Sequence, residues 1–281
     1  MIIGVNPIIF LGDDMIKLIA LDLDGTLLDD NKNISKENID AINYAKAHGA
    51  KVVISTGRPR AGVEKVLNTL GINGDDEYLI IYNGGKILNV GTNETIYSTT
   101  ITGKTVKELY EESKALNTDI HAFRENEELI TPKHNPYTDV EAKINFIEDH
   151  LYDFNKIKDD DLFIKCMLVS DQDNLTNAMA NVNEKFYKEF SMVRSSTIFL
   201  EFLNKNSDKG QALKALADYL HIDMSEVMAM GDANNDISMI KVAGVGVAME
   251  NAFEEVFEYA NYITDTNNNS GVAKAIMKYM K

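Results

Sequence analysis

The stretch IKLIALDLDGT, Ile16 to Thr26, decides how the rest of the chain is read. Ile16–Leu21 predicts a hydrophobic strand, and two carboxylates, Asp22 and Asp24, follow it at once. In an open α/β sheet, ligands bind beyond the carboxyl ends of the strands, where this loop falls. Carboxylates so placed repel each other unless a proton or a cation lies between them. A divalent metal resolves the conflict, and hard oxygen ligands select magnesium. A calcium loop starting at Asp22 fails on spacing, with Leu27 where glycine is required and Asn33 where glutamate is required. Taken alone, such a pair reads better as an acidic surface turn, so the remaining chain has to decide.

Outward from this strand the pattern alternates. Ser35 suits an N-cap, and Ile39, Ile42 and Ala45 lie on one helical face that ends at Gly49. The run Lys51–Ser55 predicts a strand. Thr56-Gly57-Arg58-Pro59 then opens a helix reaching Leu70, with Pro59 in its first turn. Tyr78–Tyr82 predicts a further strand, closed by the turn Asn83-Gly84-Gly85. After Phe199 the pattern resumes with a helix from Lys209, a strand Val227–Met230, a helix from Asn235, a strand Val245–Ala248 and a helix Gly271–Met280. Short connections between strands and helices argue for a parallel sheet covered on both faces. The middle of the chain mixes strand candidates (Ile96–Ser98, Ile120–Phe123, Phe163–Val169) with helices near Thr105–Leu116 and Asn174–Phe190. The expected organisation is a doubly wound α/β core from 15–88 and 199–281 with an α+β domain, 89–198, inserted between its halves. Residues 1–14, MIIGVNPIIFLGDD, read as an upstream extension without function, an edge strand being the alternative.

Composition bounds the rest. The chain has 281 residues, 44% hydrophobic and 26% charged, ordinary values for a globular protein with a sizeable core. No apolar run reaches the roughly 18 residues of a spanning helix. One cysteine, Cys166, permits no internal disulfide, which removes small secreted scaffolds. A formal charge of −16 repels nucleic acid and anionic lipid alike, so neither is an expected partner. Small anionic substrates remain open, because a metal and a few cations invert the field locally.

A second acidic loop, Gly231-Asp232-Ala233-Asn234-Asn235-Asp236, also follows an apolar strand and opens a helix. It fails as a calcium loop too, with Ile237 and Ala243 at the deciding positions. Asn235 or Asp236 alone reads better as a helix cap. Asp232, beside Asp22 and Asp24, supplies a third carboxylate for one metal at one sheet edge. Thr56, Gly57 and Arg58 suit an anion: a hydroxyl, a close backbone approach and a guanidinium that binds two oxygens. As a lone motif this is weak, since threonine before a helix is more often a cap. Lys209 sits in the first turn of its helix, where the dipole disfavours a cation. Solvation or pairing with Asp208 would account for it, but a neighbouring phosphoryl group and carboxylates account for it better.

Together these four segments, DLDGT at Asp22–Thr26, STGR at Ser55–Arg58, DKG at Asp208–Gly210 and GDANND at Gly231–Asp236, resemble the haloacid dehalogenase (HAD) superfamily of phosphohydrolases. The insertion between the second and third motifs is similar to the Cof-type branch, with its α/β cap. Asn83-Gly84, Asn251-Ala252 and Gly271-Val272 also resemble that branch. The match runs from about Ile16 to the C-terminus, and no catalytic position departs from the pattern; only the N-terminal extension does.

The resemblance implies a magnesium-dependent phosphomonoester hydrolase for small phosphorylated metabolites, sugar phosphates first among them. Asp22 would attack phosphorus and carry an aspartyl-phosphate; Asp24 would protonate the leaving group and then deprotonate water. Mg2+ would be held by the Asp22 carboxylate, the Asp24 backbone carbonyl and Asp232, with Asp236 behind them. Thr56, Lys209 and the backbone near Leu23 would stabilise phosphoryl oxygens, with Gly57, Arg58 and Asn235 helping to position the phosphate. A cap closing over the core would exclude water. His121, Arg124 and Lys165 are candidate substrate readers, each equally well read as an ordinary surface or pairing residue. A phosphosugar mutase and a non-catalytic phosphometabolite sensor remain alternatives. Absent targeting signals, the single cysteine and such a substrate point to the cytoplasm; oligomeric state is left open.

Overall fold

The computed structural model describes residues 15–280, so the expected extension 1–14 lies outside the described residues. In chain order the elements begin with β1 (Leu18–Leu21), α1 (Lys36–Ala47), β2 (Lys51–Ser55), α2 (Glu64–Leu70), β3 (Tyr78–Ile81), β4 (Lys86–Asn89) and β5 (Thr95–Ser98). There follow β6 (Ile101–Thr102), α3 (Gly103–Ala115), β7 (Asp119–Arg124), β8 (Leu129–Thr131), α4 (Pro136–Asn145), β9 (Asp149–Leu151), β10 (Leu162–Val169), α5 (Gln172–Asn181), α6 (Glu184–Glu189), β11 (Phe190–Ser196) and β12 (Phe199–Asn204). The chain closes with α7 (Lys209–Tyr219), β13 (Val227–Gly231), α8 (Ile237–Val242), β14 (Val245–Ala248), α9 (Glu254–Phe257), β15 (Tyr262–Ile263) and α10 (Gly271–Tyr279).

Contacts divide the described chain into two compact units, one built from 15–57, 65–97 and 208–280, the other from 58–64 and 98–207. The division expected at 88/89 and 198/199 is therefore displaced. β4 pairs with β3 and β5 continues that sheet, whereas Phe199 opens β12, which pairs with β10 and β11. Backbone ladders hold these residues to their own sheets, and the amphipathic pattern used to read them does not encode pairing partners.

The first unit is an eight-stranded sheet in the order β15-β14-β13-β1-β2-β3-β4-β5. It is parallel from β15 to β3, with β4 antiparallel at one side. Chain order reverses direction at β1, so the crevice at its carboxyl end is the switch point where α/β sheets bind ligands. On one face Leu18, Ala20, Val227 and Ala229 pack against Leu213, Leu216 and Ala217 of α7. Alternation along β1 turns Ile19 and Leu21 to the other face. Ser35 does cap α1, accepting from Asn38 N at 3.2 Å. Its buried face is Asn38, Ala41, Ile42 and Ala45, rotated from the expected one because Asn38 Oδ1 accepts from Ala273 N of α10 at 2.9 Å. Pro59 precedes a 3-10 turn, Arg60–Val63, rather than starting an α-helix.

The second unit is a sheet in the order β11-β12-β10-β7-β8-β9, with β6 added on β10. The expected helix Asn174–Phe190 is two, α5 and α6, broken at Val182 and Asn183. One face buries Ile120, Ala122, Cys166, Leu168 and Phe202 with Val106, Leu109 and Leu175 from the helices. The opposite face carries charge. Lys165 Nζ lies 3.1 Å from Glu201 Oε2 and 3.5 Å from Glu141 Oε1 of α4, all three buried. His121, on the same face, contacts Thr138 Oγ1 at 2.9 Å and Met167 Sδ at 3.1 Å, and burial, seconded by Lys165, pushes its pKa down to about 3. Arg124 stacks over Tyr152 and pairs with Glu128 at 3.1 Å.

Removing one partner of a buried ion pair strands the other charge at a cost of about 3–5 kcal/mol. Lys165→Met should lower stability by about that amount in urea unfolding followed by circular dichroism, and Glu141→Gln by much less. Equal stability of Lys165→Met and wild type would contradict this account of the face.

Candidate active site

The site begins where β1 stops. Asp22 N still donates to Met230 O of β13 at 3.0 Å, so the ladder carries Asp22 to the sheet edge, where its side chain is buried. The chain then coils tightly, with Leu28 N donating to Leu23 O at 2.9 Å. Gly25 makes this possible: its φ is +87°, and a Cβ there would collide with the Asp232 carboxylate. The close approach lets Thr26 Oγ1 donate to Asp232 Oδ1 at 2.7 Å, joining the loops after β1 and β13.

The β13 loop is built around Asp236. Its Oδ2 accepts from Asp232 N and Ala233 N, both at 3.0 Å, and its Oδ1 accepts from Lys209 Nζ at 2.6 Å. Lys209 enters from the first turn of α7, which Asp208 caps by accepting from Gln211 N at 2.9 Å. Its ammonium, fully buried, also donates to Asp22 Oδ1 at 2.5 Å. Asp208 is thus the cap, and Asp22 and Asp236 are the ion-pair partners. The carboxylates that the position of Lys209 pointed to are Asp22 and Asp236; only the pairing with Asp236 was not read from the sequence.

Burial and neighbouring charges shift the titration of Asp22, Asp232 and Lys209. Burial, then the charge of Asp236, pushes Asp22 up to about 8, against the opposing pull of Lys209. Burial likewise lifts Asp232 to about 6 although the Thr26 hydroxyl pulls it down. For Lys209 burial acts to lower the pKa, and the charges of Asp22 and Asp236 overcome it and hold the ammonium above its ordinary value.

Oxygens of Asp22, Asp232 and Asp236 lie within 4.8 Å of one another, a group that could hold a metal ion. Both oxygens of Asp236 are committed to Lys209 and main-chain N–H groups. Asp22 and Asp232 each keep one oxygen without a hydrogen-bond partner among the described residues. An oxygen-only donor set of this kind fits a hard divalent cation.

The other expected residues fall as follows. The Asp24 side chain is outside the carboxylate group and pairs with Lys32 Nζ at 2.9 Å. Leu23 is core, and its carbonyl closes the coil. Thr56, buried, follows β2, which lies beside β1 in register Leu21 to Ile54, so it ends at the same sheet edge. Gly57 packs against the Asn83 carboxamide, and Asn235 Nδ2 donates to Asn83 Oδ1 at 3.0 Å. Arg58 belongs to the second unit, where its Nη1 donates to Gly62 O at 3.2 Å. Asn83 and Thr26 were given no site role; Asn83 was legible as a turn and as part of the family resemblance, and Thr26 as the end of the DLDGT segment.

Comparison with known proteins agrees with this geometry. Residues 19–276 match the family described as haloacid dehalogenase-like hydrolase. "Putative phosphatase YxeH" of Bacillus subtilis (strain 168) is 38% identical over 264 residues, 93% of this chain and 97% of that protein. The 5-amino-6-(5-phospho-D-ribitylamino)uracil phosphatase YcsE of the same organism is 36% identical over 266 residues, 94% and 96% of the two chains. Among solved structures, the HAD subclass IIB sugar phosphatase BT4131 superposes with a TM-score of 0.75 at 25% identity, covering 94% of this chain and 98% of that one. With the sheet order, the four loop segments and this match in agreement, the chain belongs to the haloacid dehalogenase-like hydrolases and is a phosphatase.

Proposed function

We propose that this phosphatase is a magnesium-dependent phosphomonoesterase for small phosphorylated metabolites bearing a sugar or sugar-alcohol part, and that it works through phosphorylation of Asp22. The observation that carries the reading is the state of Asp22: buried, one oxygen held by the Lys209 ammonium, the other uncommitted beside Asp232. A carboxylate so held is aligned to attack phosphorus with its free oxygen. The substrate class is supported by relatives that act on a phosphorylated ribityl compound and on sugar phosphates by name.

The protein's own groups then divide the work. Lys209 pulls the Asp22 pKa down against burial and the Asp236 charge, and lends positive charge to the transferring phosphoryl oxygens. Attack by Asp22 breaks the bond between phosphorus and the leaving oxygen, which takes a proton from the Asp24 carboxyl. Asp24, now a carboxylate, removes a proton from the water that attacks phosphorus, releasing inorganic phosphate and restoring Asp22. Asp24 has to exchange its Lys32 partner for the leaving group first, which its exposed position at the loop allows. Magnesium, when bound by the Asp22 carboxylate, the Asp24 main-chain carbonyl and Asp232, supplies neutralising charge for the phosphoryl group. Thr56 and the main chain at Leu23 and Gly57 offer donors to the remaining oxygens.

Phosphate release from a panel of phosphorylated sugars, sugar alcohols and nucleotides tests the proposal. Turnover should require magnesium, vanish with EDTA, and fall by at least about a thousandfold in Asp22→Asn. Metal-independent release, or an active Asp22→Asn, would contradict it. The carboxylate shifts give a second expectation. Metal binding needs Asp22 and Asp232 ionised, and their pKa values are raised to about 8 and about 6. Magnesium affinity should therefore weaken as pH falls through this range, by up to about tenfold per pH unit for each proton displaced. Calorimetry in buffers of different ionisation enthalpy reads the released protons; an affinity flat from pH 6 to 8 would count against this carboxylate set as the metal site.

A further inference from the structure

The turn after β3 is strained in a way its role as a connection does not require. Tyr82, Asn83 and Gly84 are consecutive and all left-handed, with φ of 53°, 55° and 88°. Glycine adopts such angles freely, whereas tyrosine and asparagine do so at a cost, and such strain concentrates at functional sites. Gly84 has a local reason: a Cβ would strike the Asp208 carbonyl, so glycine lets the start of α7 approach. Asn83 has a different reason, which lies in its side chain.

The Asn83 main chain is tied to the Thr56 loop, its N–H donating to Thr56 O at 3.0 Å. Its carboxamide, in a residue only 6% exposed, fills the space a Gly57 side chain would take, 3.1 Å from that Cβ position. Its Oδ1 accepts from Asn235 Nδ2 across 152 residues of sequence. That bond uses one of the two N–H groups of the half-buried Asn235 amide. The other N–H and Asn235 Oδ1 have no partner among the described residues. An amide held by one hydrogen points its second in a set direction.

We infer that Asn83 is a positioning residue: it fixes the Asn235 carboxamide so that the remaining N–H of Asn235 donates to a phosphoryl oxygen of the substrate. The inference rests on the phosphatase reading of the site. It explains why asparagine, rather than glycine, occupies a left-handed position. The carboxamide adds the β13 loop to this junction through Asn235, whereas a glycine would keep only the main-chain bond to the Thr56 loop.

A double-mutant cycle tests it. Asn83→Gly keeps the left-handed backbone without strain and removes only the carboxamide; Asn235→Ala removes the donor. With para-nitrophenyl phosphate, each variant should lose about 10- to 100-fold in kcat with KM changed far less, because an oriented donor acts mainly in the transition state. The double variant should be no worse than the weaker single one, since Asn83 works through Asn235. Thermal midpoints near wild type separate this from unfolding. An unimpaired Asn83→Gly, or losses that multiply in the double variant, would overturn the inference. Should wild type release no phosphate, the phosphatase reading fails on its own. The same cycle is then read from inorganic phosphate affinity, where non-additive losses support the positioning role and additive or absent losses overturn it.

Discussion

The ammonium of Lys209, buried between Asp22 and Asp236, is the contact on which the first unit's chemistry depends. A cation in the first turn of a helix gives up about 0.3–1 kcal/mol to the dipole, and burying it costs several kcal/mol more. Two carboxylates at 2.5 and 2.6 Å offset that cost. Asp236 does so without strain because two main-chain N–H groups hold its other oxygen. The result is a triangle of side chains from β1, α7 and the β13 loop. It leaves Asp22 with one tethered oxygen and one free. The proposed nucleophilic chemistry and metal binding both draw on that asymmetry.

Convergence of three distant segments requires close backbone approach, and the sequence supplies glycine at the tightest points. Gly25 yields to the Asp232 carboxylate, Gly84 to the main chain of Asp208, and Gly210 to that of Ser238. These contacts are tertiary, which is why the loops are sharp while the strands leading into them are regular and buried. The second unit solves a related problem differently. It buries Lys165 with Glu201 and Glu141 on one sheet face, so the charged cluster there depends on its single lysine.

Much of the first unit was legible because each strand is a short apolar run ending in residues that cannot continue it. Asp22, Thr56 and Asp232 stand directly after β1, β2 and β13, and strand-end position carries that information. Pairings were less legible. That Lys209 reaches Asp236, that Thr26 reaches Asp232 and that Asn83 reaches Asn235 follow from sheet order, and periodicity does not encode sheet order. Asp236 looked like a helix cap because capping and ion pairing ask for the same side chain. In the second unit β8 and β9 have three residues each, too few to show alternation, and the break between α5 and α6 falls at Val182-Asn183, where no glycine or proline marks it. Arg58 follows Gly57 directly in sequence, yet it groups with the other unit.

The account turns on Asp22 as the group that takes the phosphoryl. The most direct measurement is acid quench of the Asp24→Asn variant during turnover of para-nitrophenyl phosphate, followed by peptide mass spectrometry after borohydride reduction. The account predicts a phosphoryl adduct confined to the peptide that begins at Leu18 in samples left unreduced, and, in reduced samples, homoserine in place of Asp22 with the phosphate released. Turnover without any adduct at Asp22, or with the phosphoryl group on another residue, would contradict it.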